Sequence, residues 1–476
     1  MKAKLLQNLS VNAIQLVVNQ LLGLGIFYVL STGLDKNTFG QINLALAILM
    51  AAFNILSCGI DQLVIKKIAA GADVHTTVSL YVVHVLGAGL LFYGILLGGY
   101  ALFPHFNGVY SILLLIGIGK TMIFFSTPFK QAANGLERFK LLAYMLVISN
   151  IVRCMGLVIL GILHHLSLGN VIIIFIVGDV AEFLFCVFLF TFSTKTRLSI
   201  SWNRSQYMLL LREALPQTGV VLITSALSRF DWVFIGILVS AIKLAEYSFA
   251  YKLFEISTLP LLAIAPLLIP RFTKMFKQDL VPVDELNLLV RAEMIVAAFT
   301  ILILNICWSP LIDGVTSGKY GAVNIYTVFI LSLCIPFLYL NNFFWTIYFA
   351  QGRLKMILAS FIITLAVNVA GDIILIPLYK NEGAAAAFLA ACLVQYVYYF
   401  KQNKTPELRT VWRPLVMCMV CAVIGIFAAT LLFDGSWTRM LTGTGIFVLL
   451  LILTAQLRLQ DLKTMAWPTH IKGTNP

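Results

Sequence analysis

The chain has 476 residues, 60% of them hydrophobic and 11% charged, with a mean hydropathy of +0.95. A soluble domain carries roughly a quarter charged residues, so water cannot be the solvent for most of this chain. The formal net charge of +13 is compatible with nucleic-acid binding, but no Lys/Arg-rich run or basic tail stands out, so no nucleic-acid partner is expected.

A bilayer core of about 30 Å needs roughly 20 apolar residues per helix, and such runs follow one another here with short polar breaks. They predict an all-α polytopic membrane protein of about fourteen transmembrane helices. A transmembrane barrel would need alternating segments of about 10 residues instead. Lys2 and Lys4 precede the first span, 10–33, with no convincing small-x-small cleavage site after it, so it reads as a retained helix rather than a signal peptide. The second and third spans cover 40–63 and 77–103. The fourth, 109–129, carries Lys120, and the fifth, 141–163, carries Arg153 and ends at His164 and His165. Asp179 and Glu182 sit in the sixth, 171–192, which a basic stretch at 193–213 follows.

The seventh span, 214–238, contains Arg229 and Asp231 in the middle of "LITSALSRFDWVFIGILVS". The eighth, 247–269, contains Lys252 and Glu255; Pro260, Pro266 and Pro270 remove helix hydrogen bonds and should kink it. A basic stretch at 270–289 leads to the ninth span, 290–310. The tenth, 323–349, is rich in amides and rings (Tyr339, Asn341, Asn342, Trp345, Tyr348) that suit a wet path for sugars or simple packing. Asp372 lies in the eleventh, 357–379. Tyr396, Tyr398 and Tyr399 end the twelfth, 383–400, as packing or an interfacial belt. Spans at 414–433 and 439–457 complete the series.

With the N-terminus inside, the cytoplasmic segments hold 24 Lys and Arg and the outer ones 5, so both termini are expected in the cytoplasm. On that assignment Lys36 is in an outer loop, and Lys130 and Arg291 are in cytoplasmic loops. Four basic residues remain within spans: Lys120, Arg153, Arg229 and Lys252. The eight cysteines lie in or at the ends of spans, so no disulfide framework is implied, and "CMVC" at 418–421 lacks a βαβ context for redox chemistry. The histidines form no zinc-binding spacing, and no G-x-x-x-x-G-K-[ST] nucleotide loop occurs. No metal, cofactor or built-in ATPase is expected. The outer loops are too short for the acceptor platform of a glycan polymerase or ligase, so the expected protein is not an enzyme.

Internal similarity points to a transporter plan. "AANGLERFKLLAY" (132–144) and "FAQGRLKMILAS" (349–360) each place a small residue, an amide and a glycine ahead of a basic cluster; "TFGQINLALAI" (38–48) resembles "EYSFAYKLFEI" (246–256). The offsets of 217 and 208 residues match six spans. This predicts parallel six-helix lobes at 1–195 and 196–403, with an additional helix pair and tail at 404–476.

The stretch 316–391 resembles the C-terminal repeat of the polysaccharide-flippase family, the O-antigen and capsule exporters of the multidrug/oligosaccharidyl-lipid/polysaccharide superfamily. The resemblance lies in Gly318, Tyr320, Asn342, Gly352, Lys355, Asn368, Ile376-Pro377 and Gly383-Ala384-Ala385. "AEYSFAYKLFEISTLPLLAIAPLLIPRF" (245–272) is similar to the family's eighth span. The resemblance implies a flippase that turns an undecaprenyl-pyrophosphate-linked oligosaccharide from the inner to the outer leaflet of the bacterial cytoplasmic membrane by ion-coupled alternating access. It also implies a polysaccharide polymerase and a chain-length regulator as partners. A drug/cation antiporter of the same superfamily is the alternative.

A charge at the bilayer centre costs at least about 2.5–3.5 kcal/mol, so the deep charges should face the bundle interior or a wet cavity. Lys252 and Glu255, three apart, can pair along one helix face. Arg229 and Asp231, about 200° apart around the helix, cannot. Two readings of the rest stay open. In one, Lys120, Arg153, Asp179 and Glu182 are buried salt bridges that fix helix packing. In the other, which follows from the resemblance, Lys120, Arg153, Arg229 and Lys252 contact the pyrophosphate. The coupling ion then uses Asp179, Glu182, Asp231, Glu255 or Asp372, with the like charges of Asp179 and Glu182 favouring protonation.

Overall fold

A computed structural model describes residues 2–102, 107–194, 202–261, 268, 272, 283–403 and 410–458. Among these the chain is helical, with no strand. Its helices are α1 (Lys2–Gly33), α2 (Lys36–Leu56), α3 (Ile60–Ala69), α4 (Val74–Leu102), α5 (Asn107–Gly135), α6 (Phe139–Ile162), α7 (Leu168–Thr194), α8 (Arg204–Leu238) and α9 (Ala241–Ser257). There follow α10 (Val283–Thr316), α11 (Ile325–Ala350), α12 (Leu354–Gln402), α13 (Trp412–Leu432) and α14 (Ser436–Leu453).

Eleven helices among the described residues are long and apolar enough to cross a membrane. Bent α8 adds a twelfth, its parts 204–227 and 229–238 meeting at 53°. The 49-residue α12 is two spans joined at Lys380, whose φ of 53° and ψ of −122° interrupt the helix. Helix α9 corresponds to the eighth span; residues 262–267, with Pro266, and 269–271, with Pro270, lie outside the described residues. The count is therefore about the fourteen that composition predicts. Large apolar side chains such as Leu91 (67% exposed), Leu102 (76%) and Phe192 (75%) face outward. In water such a surface would drive aggregation, whereas in lipid it is solvated.

Two compact units divide the chain at residues 1–248 and 249–476. In the first, α1 packs on α6, α5 packs on α4 and α7, and α8 lies against α2 and α3. Helix α3 is a departure from the expected second span. The transmembrane helix ends at Leu56, and after a break at Cys58 and Gly59, both with positive φ, a separate ten-residue helix begins. Its Ile60, Val64 and Ile68 repeat every four residues and bury one stripe among Phe129, Ala132 and Ala133 of α5. The break also holds α8, since Thr218 Oγ1 donates to the Cys58 carbonyl at 2.7 Å. A Cβ at Gly59 would come within 2.8 Å of the Gln217 backbone.

The second unit packs α10 on α11, α13 and α14, and α11 on α12. The bend inside α12 is tight: a Cβ at Gly383 would lie 2.2 Å from the Leu375 carbonyl oxygen, so only glycine fits that approach. The two loops with similar sequences end their helices alike. In one, Glu137 takes φ 56° and Arg138 N–H donates to the Ala133 carbonyl at 2.9 Å. In the other, Gly352 takes φ 72° and Arg353 N–H donates to the Tyr348 carbonyl at 2.9 Å. Both are left-handed helix caps. The structural correspondence pairs Glu137 with Gly352 and shifts the sequence-based alignment of Gly135 with Gly352 by two residues. Gly135 instead admits α3, because a Cβ there would meet Ile68 at 2.9 Å.

Candidate functional site

The deepest charges of the first unit converge from three helices. Lys120 and Lys130 come from α5, Arg153 from α6, and Asp179 and Glu182 from α7. Asp179 is completely buried and pairs with Arg153 on one oxygen and with Lys120 on the other, the latter at 3.2 Å. Glu182 pairs with Lys130, and both are buried. The Phe175 ring, one turn before Asp179, lies 5.8 Å from Lys120 Nζ and 5.1 Å from Arg153 Cζ. It adds a cation–π face to the same cations.

Glycines make the cluster possible. A Cβ at Gly119 would stand 2.6 Å from Asp179 Oδ2. One at Gly178 would stand 2.8 Å from Arg153 Cγ and 3.2 Å from the Ser149 carbonyl. Small residues at these two positions let α5 and α6 close on α7, as at other membrane helix interfaces, and leave the room that the side chains occupy. The three cations share two ion-paired carboxylates, and Asp61 of α3 also acts electrostatically on Lys130. Lysine and arginine gathered in this way can also serve an anionic group.

The placement corrects one expectation. Lys130 is not a loop residue: α5 continues through Pro128 to Gly135, and the lysine is buried inside it. Asp179 and Glu182 share a face of α7, and the facing helices bring three basic side chains to them, the arrangement of the salt-bridge reading.

The remaining sequence candidates are dispersed. Arg229 and Asp231 follow the bend of α8 and, as their spacing requires, engage different groups. The guanidinium lies 4.4 Å from the Trp232 ring centre. Asp231 accepts from Tyr247 Oη at 2.8 Å and from the Trp232 backbone N–H at 2.8 Å. Lys252 pairs with Glu255 at 2.9 Å along α9, as the three-residue spacing predicts. Asp372 is buried in α12 and accepts from Asn368 Nδ2 at 3.2 Å.

In the tenth span, Tyr339, Asn341 and Tyr348 are interior. Asn341 Nδ2 donates to the Cys392 carbonyl at 3.0 Å and Tyr348 Oη to the Tyr399 carbonyl at 2.8 Å. These two residues therefore bind α11 to the second half of α12. Sequence reasoning missed Lys130, missed Lys36 and Lys243, which both meet Glu246 at 2.7 Å, and assigned nothing to Glu293. The signal for Glu293 was available: it lies inside the apolar run 290–310.

The family described as "Polysaccharide biosynthesis protein" matches residues 5–276. No match was found among curated proteins. The fold is similar to that of the lipid II flippase MurJ in an inward closed conformation, with a TM-score of 0.74 and 13% identity over 95% of this chain and 99% of that one. It is also similar to an inward-facing multidrug resistance MATE family transporter of the MOP superfamily (TM-score 0.62, 12% identity, 84% and 98% covered). A MOP superfamily transporter from Pyrococcus furiosus gives a TM-score of 0.56 at 12% identity over 85% and 94%.

Proposed function

The chain belongs to the polysaccharide biosynthesis protein family, and we propose that it is a flippase carrying an undecaprenyl-pyrophosphate-linked oligosaccharide, an O-antigen or capsule unit, across the bacterial cytoplasmic membrane. The observation that carries this reading is the buried, cation-rich cluster of Lys120, Lys130 and Arg153 in a lipid-embedded unit. Arginine and lysine are suited to phosphate oxygens, and a water-poor setting strengthens the attraction. Lys252 is not assigned to the headgroup, because Glu255 neutralises it locally.

In this reading the protein makes and breaks no covalent bond. Its two six-helix lobes, 1–195 and 196–403, alternate access with both termini in the cytoplasm, and the pair in 404–476 is an addition to them. A polymerase and a chain-length regulator receive the product. The similarity to a lipid II flippase supports a lipid-linked cargo for this fold.

The test is deletion of the gene in its native host, followed by leaflet-selective labelling and mass spectrometry of the lipid-linked glycan. Build-up on the inner leaflet, relieved by the wild-type gene but not by Arg153→Met at equal expression, is expected. Normal surface glycan without build-up would overturn the flippase reading and favour a drug/cation antiporter.

A further inference from the structure

Glu293 is a buried acid outside the cation-rich cluster. It lies on α10, within the membrane-crossing stretch Leu286–Thr316, and is 3% exposed. Its Oε2 has no hydrogen-bond partner, and no ion pair reaches it among the described residues. Every other deep carboxylate of the sequence reading has an ion-pair or hydrogen-bond partner: Asp179, Glu182 and Glu255 meet cations, Asp231 meets Tyr247, and Asp372 meets Asn368. An ionised carboxylate without a partner in a low-dielectric interior is strongly disfavoured, and binding a proton removes that penalty.

The surroundings are consistent with a neutral acid. From α11 the Tyr339 phenol comes close enough to interact electrostatically with Glu293, and its Oη also lacks a hydrogen-bond partner. Helix α13 runs beside α10, with Gly425 against Leu302; near the level of Glu293 it carries the buried Cys418 thiol, Cys421, and, at its start, Arg413. Helix α14 brings Phe447 to Phe299 and leads to Thr454 and then Arg458. None of these groups forms a hydrogen bond or ion pair with Glu293. On α10 itself, Arg291 is two positions away and so points about 200° around the helix.

We propose that Glu293 is a proton-binding site of the second unit, with the unpartnered Tyr339 hydroxyl of α11 in its electrostatic neighbourhood. The step is simple protonation: a proton adds to a carboxylate oxygen, and the same proton leaves when the site is hydrated. Resting on the transport reading above, this site couples proton movement to flipping, whereas the paired acids of the first unit serve the headgroup-binding cluster.

The full chain reconstituted in liposomes is examined by infrared difference spectroscopy between acidic and alkaline buffer. A protonated-carboxyl carbonyl band should disappear on alkalinisation of the wild type. It should be absent throughout in Glu293→Gln, shifted in Glu293→Asp, and unchanged in Glu246→Gln, whose acid already has two lysine partners. If Glu293→Gln fails to fold, the Glu293→Asp shift decides. A band unaffected by substitution at position 293 overturns the proposal. In the same vesicles loaded with undecaprenyl-pyrophosphate-linked oligosaccharide, an imposed pH gradient should accelerate the wild type. Glu293→Gln should lose that acceleration and keep gradient-independent flipping; full retention of the acceleration would overturn the coupling role. A wild type that moves no lipid-linked glycan refutes the transport reading alone, since the carbonyl band still tests Glu293.

Discussion

Replacing Lys130 by Met and Glu182 by Gln, singly and together, tests whether the cluster of α5 and α7 is an interior electrostatic element. The side chains are 10% and 5% exposed, so neither charge has much water to fall back on when its partner is removed. At an effective dielectric constant of about 20, a pair at about 4 Å is worth about 4 kcal/mol, most of which offsets the desolvation of the two groups. Removing one partner leaves the other charge buried, at a cost of about 3 kcal/mol. Removing both should cost no more than either single change, giving a coupling of about 3 kcal/mol. Glu182 also acts electrostatically on Arg153, so Glu182→Gln should be the more damaging single substitution. The assay is reversible denaturation in mixed micelles, followed by tryptophan fluorescence. Additive losses, or single effects within about 0.5 kcal/mol as for a solvated loop lysine, would refute the reasoning.

Gly383→Ala should destabilise by about 3 kcal/mol in the same assay, because the new Cβ would strike the backbone oxygen of Leu375, which no rotamer change can move. Gly352→Ala should cost only about 1 kcal/mol: its φ of 72° is unfavourable to a side chain, but the space around it is open. Tyr247→Phe removes the donor to buried Asp231 and should cost about 1–3 kcal/mol by thermal unfolding. Asp35 caps α2 by accepting the Thr38 N–H at 3.0 Å, and Thr38 holds its carboxyl below the ordinary value. Its stabilisation is therefore present above the ordinary carboxylate range and lost as pH falls through the lowered value. Asp35→Ala should cost about 1 kcal/mol at neutral pH and nothing in strong acid. A pH-independent difference would show that the cap's charge plays no part.

The spans were legible because a lipid solvent selects composition over some 20 residues at a time, a signal that needs no knowledge of neighbours. Partners were legible only within one helix: three-residue spacing sufficed for Lys252 and Glu255. It could not pair Lys130 with Glu182, 52 residues away, and a span closed at residue 129 by length alone placed that lysine in a loop. A 29-residue helix with a long, flexible lysine stem has no such limit. The α2–α3 break was hidden for a related reason, since Cys58 and Gly59 interrupt the helix without interrupting its hydrophobicity. Glu293 has no basic residue three or four positions away, and Arg291, two positions off, lies on another face, so spacing within its own helix gives it no partner.

The charges in the apolar runs are thus handled in two ways, and the difference bears on the proposed transport. Lys120, Lys130 and Arg153 each meet a carboxylate already, the first and last sharing Asp179. A pyrophosphate reaching them must exchange with Asp179 or Glu182 rather than fill a vacant cation site. Exchange leaves no cation bare once the anion departs, because the displaced carboxylate returns to it, so the cluster can release an anion as well as take one up. A preformed site of bare cations would bind more tightly and release poorly, because the cations left behind would again be buried and uncompensated. A carrier needs comparable affinity on both sides of the membrane, and an exchange of partners supplies it. By this argument Asp179→Asn should tighten headgroup binding while slowing turnover, and a vesicle assay that measures both in one preparation would contradict it by finding the two reduced together.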